Sequence, residues 1–411
     1  MKKQINIERL KNTINKSAEI GKIPGNGLRR LALTDEDKAM RDLFLSWMQE
    51  ANLETRIDDL GNMYGRREGK EDLSPIVIGS HLDTQPNGGR FDGILGVLSA
   101  LEVIQTLNDY NVETLRPIEI INFTNEEGAR FEPPMIASGG LSGNFEKEYI
   151  YNLTDQEGNR FEDELTRIGY KGKMKNRIQN IHSYLELHIE QGPILENEAM
   201  DIGIVEGIQG MEWMEVKVKG ESSHAGSTPM HLRKDALTVS AKMINIIEDL
   251  AIEHGVVATV GRLSLEPNAT NSVPGEVIFS LDVRHFEDNK RKNVINKMKQ
   301  KIVEIASYYK LEVEIQCLWE VPAVEFNSNI INLIEETAKS NDYSIQRLPS
   351  GAGHDAKYMQ DIAPSGMIFV PSVDGKSHIE SELTLDKDIE QGANVLYQVT
   401  EYLARFEYSI Q

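Results

Sequence analysis

Cysteine is almost absent from this chain. Its single thiol, Cys317, excludes an intrachain disulfide and argues against a thiol-based mechanism. Cys317 lies in the apolar, strand-like run 311–319, which predicts a core position. Long apolar runs are missing as well. No stretch reaches about eighteen apolar residues, the length a membrane-spanning helix needs. The segment Met1–Leu10 is charged and has no apolar centre, so it does not read as a signal peptide. Basic charge is scarce: 44 Lys and Arg face 65 Asp and Glu, a formal net charge of −21. Such a balance disfavours nucleic acid and anionic membranes as partners and suits the gathering of divalent cations. A cytoplasmic location is the expectation.

What is present is a globular composition, 40% hydrophobic and 27% charged over 411 residues, enough for two or three domains. Residues 76–104 organise the rest. They read as a buried strand from Ile76 to Gly79, a Gly-rich loop with His81, Asp83 and Asp92, and an apolar helix from Ile94. An α/β fold builds polar sites in this way, at the carboxyl ends of its strands. Before this stretch come a helical segment in 1–20, a second helix capped by Thr34, and a strand–turn–strand over 54–67. After it, strands at 117–124 and 183–192 end in Asn125-Glu126-Glu127-Gly128 and His188-Ile189-Glu190-Gln191-Gly192, with short helices between them. From about 207 to 322 the order becomes strand (211–219), helix (233–254), strands (256–265 and 276–283), helix (290–309) and strand (311–319). That is the βαββαβ, ferredoxin-like order. Its alternating strands need one covered face only, which leaves a face or an edge for dimerisation. From 323 the α/β character returns, with helices at 328–340 and 386–406, a strand at 365–370 and a loop carrying His378. The expected fold is therefore α/β: one discontinuous mixed-sheet domain, 1–206 with 323–411, and an inserted domain, 207–322.

Nine histidines occur. His182, His231 and His254 read as ordinary surface or core residues. His81, Asp92, Glu126, Glu127, His188 and His378 each follow a predicted strand of the discontinuous domain, so parallel strands would bring them to one rim. Imidazole and carboxylate without thiolate suit Zn, Mn, Co or Ni. Three histidines serve two ions if a carboxylate is shared, and Asp92 is the natural bridge because it has two oxygens. Two such ions would polarise a carbonyl and activate a water. The Glu126-Glu127 pair can then supply one ligand and one general base. Asp83 is placed to hold the second nitrogen of His81. Each feature also has a plainer reading: an acidic turn for Glu126-Glu127, a hairpin loop for Ser222–Gly226, a surface charge for Arg284.

Taken together, Gly79-Ser80-His81-Leu82-Asp83-Thr84, Gly88-Gly89-Arg90-Phe91-Asp92-Gly93, Asn125-Glu126-Glu127-Gly128, His188-Ile189-Glu190-Gln191-Gly192 and Ser223-His224-Ala225-Gly226 resemble the M20 metallopeptidase superfamily. The resemblance runs from Arg29-Arg30-Leu31-Ala32-Leu33 through Gly353-His354-Asp355-Ala356 to Ser377-His378. It is closest to the branch of N-carbamoyl-L-amino-acid hydrolases, allantoate amidohydrolases and ureidopropionases. It implies a zinc-peptidase-like catalytic domain with an inserted lid and dimerisation domain. One ion would take His81, Asp92 and His188, and the other Asp92, Glu127 and His378, with Glu126 as general base. The bond after Asp92 is often cis in such enzymes. His224 would reach the partner subunit's site to stabilise an oxyanion. Gln191, Asn271, Arg284 and Gly353 would hold a small ureido acid, with the Arg284 fork on its carboxylate. His188 stands where many superfamily peptidases carry an acid, which favours ureido hydrolysis. The alternatives are an M20-type peptidase or aminoacylase and, from another class, a catalytically silent metal-binding dimer. His285 and His354 receive no role.

Overall fold

The computed structural model describes residues 3–406. Two helices precede the first strands. Ile7–Ser17 is capped by Asn6, and Asp35–Glu50 by Thr34, whose hydroxyl accepts the Asp37 N–H at 3.3 Å. Asp35, Glu36 and Asp37 then lie at the positive end of that helix. Strands β1 (Glu54–Ile57), β2 (Met63–Arg67), β3 (Ile76–His81), β4 (Ile118–Phe123), β5 (Ser183–Ile189) and β6 (Ile202–Ile208) follow. The next strands, β7 (Gly210–Lys219), β8 (Ser223–His224), β9 (Val257–Thr259), β10 (Leu263–Glu266), β11 (Ser272–Val273), β12 (Glu276–His285) and β13 (Glu312–Val321), belong to the inserted segment. The last are β14 (Val324–Glu325), β15 (Ile345–Ser350) and β16 (Ser365–Val370). The chain divides into two compact units, one running up to Gly207 and from Glu325 on, the other Ile208–Val324.

The larger unit is built on a mixed sheet in the order β1-β2-β4-β3-β5-β16-β6-β14, with β15 on β6. Its centre, β4-β3-β5-β16, is parallel, and β1, β2 and β6 pair antiparallel. Every residue of β3, β4, β5 and β16 is buried. That explains why they read as continuous apolar runs. Helices Ile94–Asp109 and Asp386–Arg405 pack on the sheet and on each other. Because the four central strands run the same way, their carboxyl ends open on one rim.

The smaller unit has the antiparallel order β10-β12-β7-β13, with β9 also on β12. Helices Ala236–His254 and Asp288–Tyr308 supply Val239, Met243, Ile247, Val294, Met298 and Ile302 to a core shared with Met214, Val216, Val218, Val277, Phe279 and Leu281. The strand expected over 256–265 is broken into β9 and β10, and β15 was not foreseen. Cys317 is also corrected: it is exposed, on the edge strand β13. No helix among the described residues is long and apolar enough to cross a membrane.

Candidate functional site

The rim of the larger sheet gathers groups that are far apart in sequence. His81 is the last residue of β3, and His188 the penultimate residue of β5. His81 Nδ1 lies 2.9 Å from the Asp83 carbonyl and His188 Nδ1 lies 2.9 Å from the Ile189 carbonyl. Each ring therefore donates from Nδ1 and keeps Nε2 as an electron-pair donor. Asp92 sits between them: its Oδ1 is 3.2 Å from His188 Nε2 and 3.8 Å from His81 Nε2. Its Oδ2 is 3.3 Å from His378 Nε2, which lies 3.5 Å from Glu127 Oε2. The chain leaves Asp92 through Gly93 at φ +68°, and a Cβ there would fall 2.2 Å from His81 Nε2, so glycine alone fits without strain. The cis peptide bonds of the described residues are Glu132–Pro133 and Glu266–Pro267, so the bond after Asp92 is trans and the cis expectation is corrected.

Two groups that could each hold an ion result: His81, Asp92 and His188, and Asp92, Glu127 and His378. In each, one ligand atom per residue lies within 4.8 Å of the others. Glu126 is buried with Oε2 3.5 Å from His81 Nε2. Its orientation, and that of Glu127, begins at the backbone. Asn125 takes φ +58°, and the N–H groups of Glu126 and Glu127 donate to the two oxygens of Asp83 at 3.2 and 3.3 Å. Asp83 thus serves His81 through its carbonyl and the two glutamates through its carboxylate, a division that spacing alone did not reveal. Arg30 Nε donates to the Leu82 carbonyl at 2.8 Å and steadies the same loop.

The electrostatics of this rim call for cations. Burial, then repulsion from Asp355 and Glu127, pushes Glu126 well above the usual carboxylate range. Burial and Asp92 raise Glu127 to about 8, and burial and Asp37 raise Asp83 to about 7. Asp92 is pushed up by burial but held well below its ordinary value by hydrogen bonds to His188 and His378. His188 is lowered by burial, but its bond to Asp92 outweighs that and raises it to about 9. His378 is raised to about 9, chiefly by Asp92, while burial lowers His81 to about 4. Acids in excess, keeping protons on their neighbours, make a site in which a divalent cation competes with those protons. Donor types, distances and charge all fit such ions.

Of the other residues singled out by sequence, Gln191 joins the rim. Its Nε2 donates to Asp92 Oδ2 at 2.8 Å and its Oε1 is buried without a partner. Gly353 packs against Met135. His224, Asn271 and Arg284 belong to the smaller unit. His224 pairs across β8 and β11, and its Nδ1 accepts N–H from Gly226 and Ser227 at 3.1 and 3.2 Å, which leaves Nε2–H as a donor. Asn271 accepts the Ala225 N–H through its carbonyl at 2.9 Å. Arg284 directs Nε and Nη2 at Asp282, at 3.0 and 2.8 Å.

Several contributors were not foreseen. Ser377 Oγ lies 2.8 Å from Asp92 Oδ2, and Glu382 accepts the Asp92 N–H at 3.1 Å. Glu186 and His354 form a further buried set with His188, the two rings 4.4 Å apart. His354 had a signal, its Gly-His-Asp setting, but Glu186 lies inside a buried strand and had none.

Residues 77–402 match the model of Peptidase family M20/M25/M40. An N-carbamoyl-L-amino-acid amidohydrolase of Rhizobium meliloti is 40% identical over 398 residues, 96% of this chain and 96% of that protein. Allantoate deiminase 1 of Glycine max is 31% identical over 415 residues, covering 90% and 85%. Among solved structures, an amidase of the hydantoinase/carbamoylase family from Burkholderia multivorans superposes with a TM-score of 0.96 at 42% identity, over 99% of this chain and 100% of that one.

Proposed function

Because the chain belongs to peptidase family M20/M25/M40, we propose that it is a metal-dependent amidohydrolase that cleaves the ureido C–N bond of an N-carbamoyl-L-amino acid or of allantoate. Of the relatives above, the more similar bears the N-carbamoyl name, so that class is placed first. The observation that carries the reading is Asp92, whose Oδ1 faces His81 and His188 and whose Oδ2 faces His378 beside Glu127. His81, Asp92 and His188 would hold one divalent ion and Asp92, Glu127 and His378 a second, Mn, Zn, Co or Ni, and these would supply Lewis-acid polarisation of the ureido carbonyl.

Everything else falls to the protein's own groups. Glu126, buried with Oε2 3.5 Å from His81 Nε2, takes a proton from the attacking water and passes it to the departing nitrogen. Asp83 aims Glu126 by holding its backbone N–H. Hydrolysis of a carbamoyl amino acid then yields the free amino acid, ammonia and carbon dioxide. Gln191, Asn271 and Gly353 hold the substrate, and the planar fork of Arg284 takes its carboxylate. The chain acts as a homodimer, in which His224 donates its Nε2–H to the developing oxyanion in the partner's site.

A panel of N-carbamoyl-L-amino acids, allantoate, β-ureidopropionate and dipeptides tests this, on metal-stripped protein given Mn, Co, Ni or Zn. Ammonia release from a ureido acid is the expected result. A dipeptide turned over faster than every ureido acid overturns it in favour of a peptidase.

A further inference from the structure

One buried acid outside both ligand sets ties the bridging aspartate to the loop that carries His378. We propose that Glu382 is a positioning residue of the metal centre, fixing Asp92 and the His378 loop in the geometry in which both hold one cation. The inference rests on the two-ion reading above.

Glu382 is 5% exposed, so its contacts decide its state. Its Oε1 accepts the N–H of Phe91 at 3.0 Å and of Asp92 at 3.1 Å. Its Oε2 is 3.0 Å from Ser377 Oγ, the hydroxyl that also lies 2.8 Å from Asp92 Oδ2. Both the backbone and the outer oxygen of Asp92 are thereby referred to one carboxylate. Gly89 gives it room: a Cβ there would come within 2.1 Å of Glu382 Oε1. A buried carboxylate held by two N–H groups and a hydroxyl is costly to keep. The need is local. His81 and His188 stand on β3 and β5, inside a buried sheet. His378 stands on a loop at φ +59° with its side chain 50% exposed, and no strand fixes it. Glu382 lies four residues further along that loop and anchors it against the Asp92 turn.

The test is titration of metal-stripped protein with Mn²⁺ or Zn²⁺ against a chromophoric chelator, alongside melting of the metal-free forms. Glu382→Ala should weaken the looser of the two binding events about 10–100-fold and leave the tighter one nearly unchanged. Glu382→Gln keeps a carbonyl acceptor for the Phe91 and Asp92 N–H groups and should recover most of the loss. Ser377→Ala should weaken the same event by less, with the metal-free melting temperature unchanged. Should Glu382→Ala fail to fold, Ser377→Ala decides. Wild-type affinity in Glu382→Ala, or in Ser377→Ala where that variant alone folds, overturns the proposal. So does an equal loss at both events with a lower metal-free melting temperature, which marks a purely structural role. The wild-type titration judges the two-ion reading separately: a single event per chain overturns that reading, while the ratio of variant to wild type still judges Glu382.

Discussion

In the larger unit β3, β4, β5 and β16 are buried along their whole length, whereas in the smaller unit β7 and β12 bury every second residue. The consequences for polar chemistry are opposite. In a sheet covered on both faces the strand ends and the loops that meet them are where most charged groups gather, and there they crowd together out of water. Asp83, Glu126, Glu127 and Glu382 all have raised pKa values for that reason first. A sheet covered on one face keeps its charges along the open side as solvated pairs, such as Lys217 with Glu276 at 2.9 Å and Arg284 with Asp282 at 2.8 Å. Shifted proton affinities belong to the first arrangement, and charges that stay paired in water to the second.

Substitutions that spare one unit while disabling the other test this contrast. The largest expected effect is Asp92→Ala, which removes an oxygen from both ligand sets. Metal analysis after dialysis should find both ions lost and activity below detection, while His81→Ala weakens mainly one. Arg284→Ala, in the smaller unit, should raise KM with metal content unchanged. Next is Glu126→Gln, which should lower kcat about 10²–10⁴-fold with both ions retained. Unchanged turnover would remove Glu126 as the base. A milder pair compares backbone. Gly93→Ala places a Cβ 2.2 Å from His81 Nε2 at φ +68° and should cost about 1–3 kcal/mol in urea unfolding, with weakened metal binding. Gly261→Ala in the smaller unit meets nothing within 4 Å and should lie within about 0.5 kcal/mol of the wild type.

Much of the larger unit was legible because buried parallel strands write themselves as unbroken apolar runs. The polar residues that follow those runs then share a rim by geometry, which makes Asp92 legible in the sequence. The rest depends on contacts that sequence spacing does not encode. Asp83 was expected to hold the second nitrogen of His81; its carbonyl lies 2.9 Å from that nitrogen, while its carboxylate holds the glutamate N–H groups, which spacing does not encode. Glu382 follows no strand and lies in an acidic loop, so nothing distinguishes it from its neighbour Glu380 until the fold brings it to Phe91. β15 is short, only partly buried and contains Pro349, which hides it from a pattern reading. The break between β9 and β10 falls around Gly261, where a continuous strand had been expected.

Cys317 gives the smallest effect and the clearest lesson about edges. Period-two alternation assigns it to a face, and the register agrees: it stands opposite Met214, a fully packed core residue. Alternation carries no information about which strand is the last in the sheet. β13 has a neighbour on one side only, and its register shifts between Cys317 and Trp319, so the apolar run Cys317-Leu318-Trp319 ends up exposed. A buried cysteine replaced by serine would leave a hydroxyl out of water, at about 1–3 kcal/mol. On the exposed edge, Cys317→Ser should change unfolding free energy by no more than about 0.5 kcal/mol and leave ammonia release unaltered. In the folded wild type the thiol should react with a disulfide reagent without denaturant. Slight desolvation and Glu212 raise its pKa, so the rate should keep climbing as pH rises through the thiol range. If protomers in the proposed homodimer meet along β13, that rate should fall as protein concentration rises, while the rate for a dilute sample stays that of an open thiol.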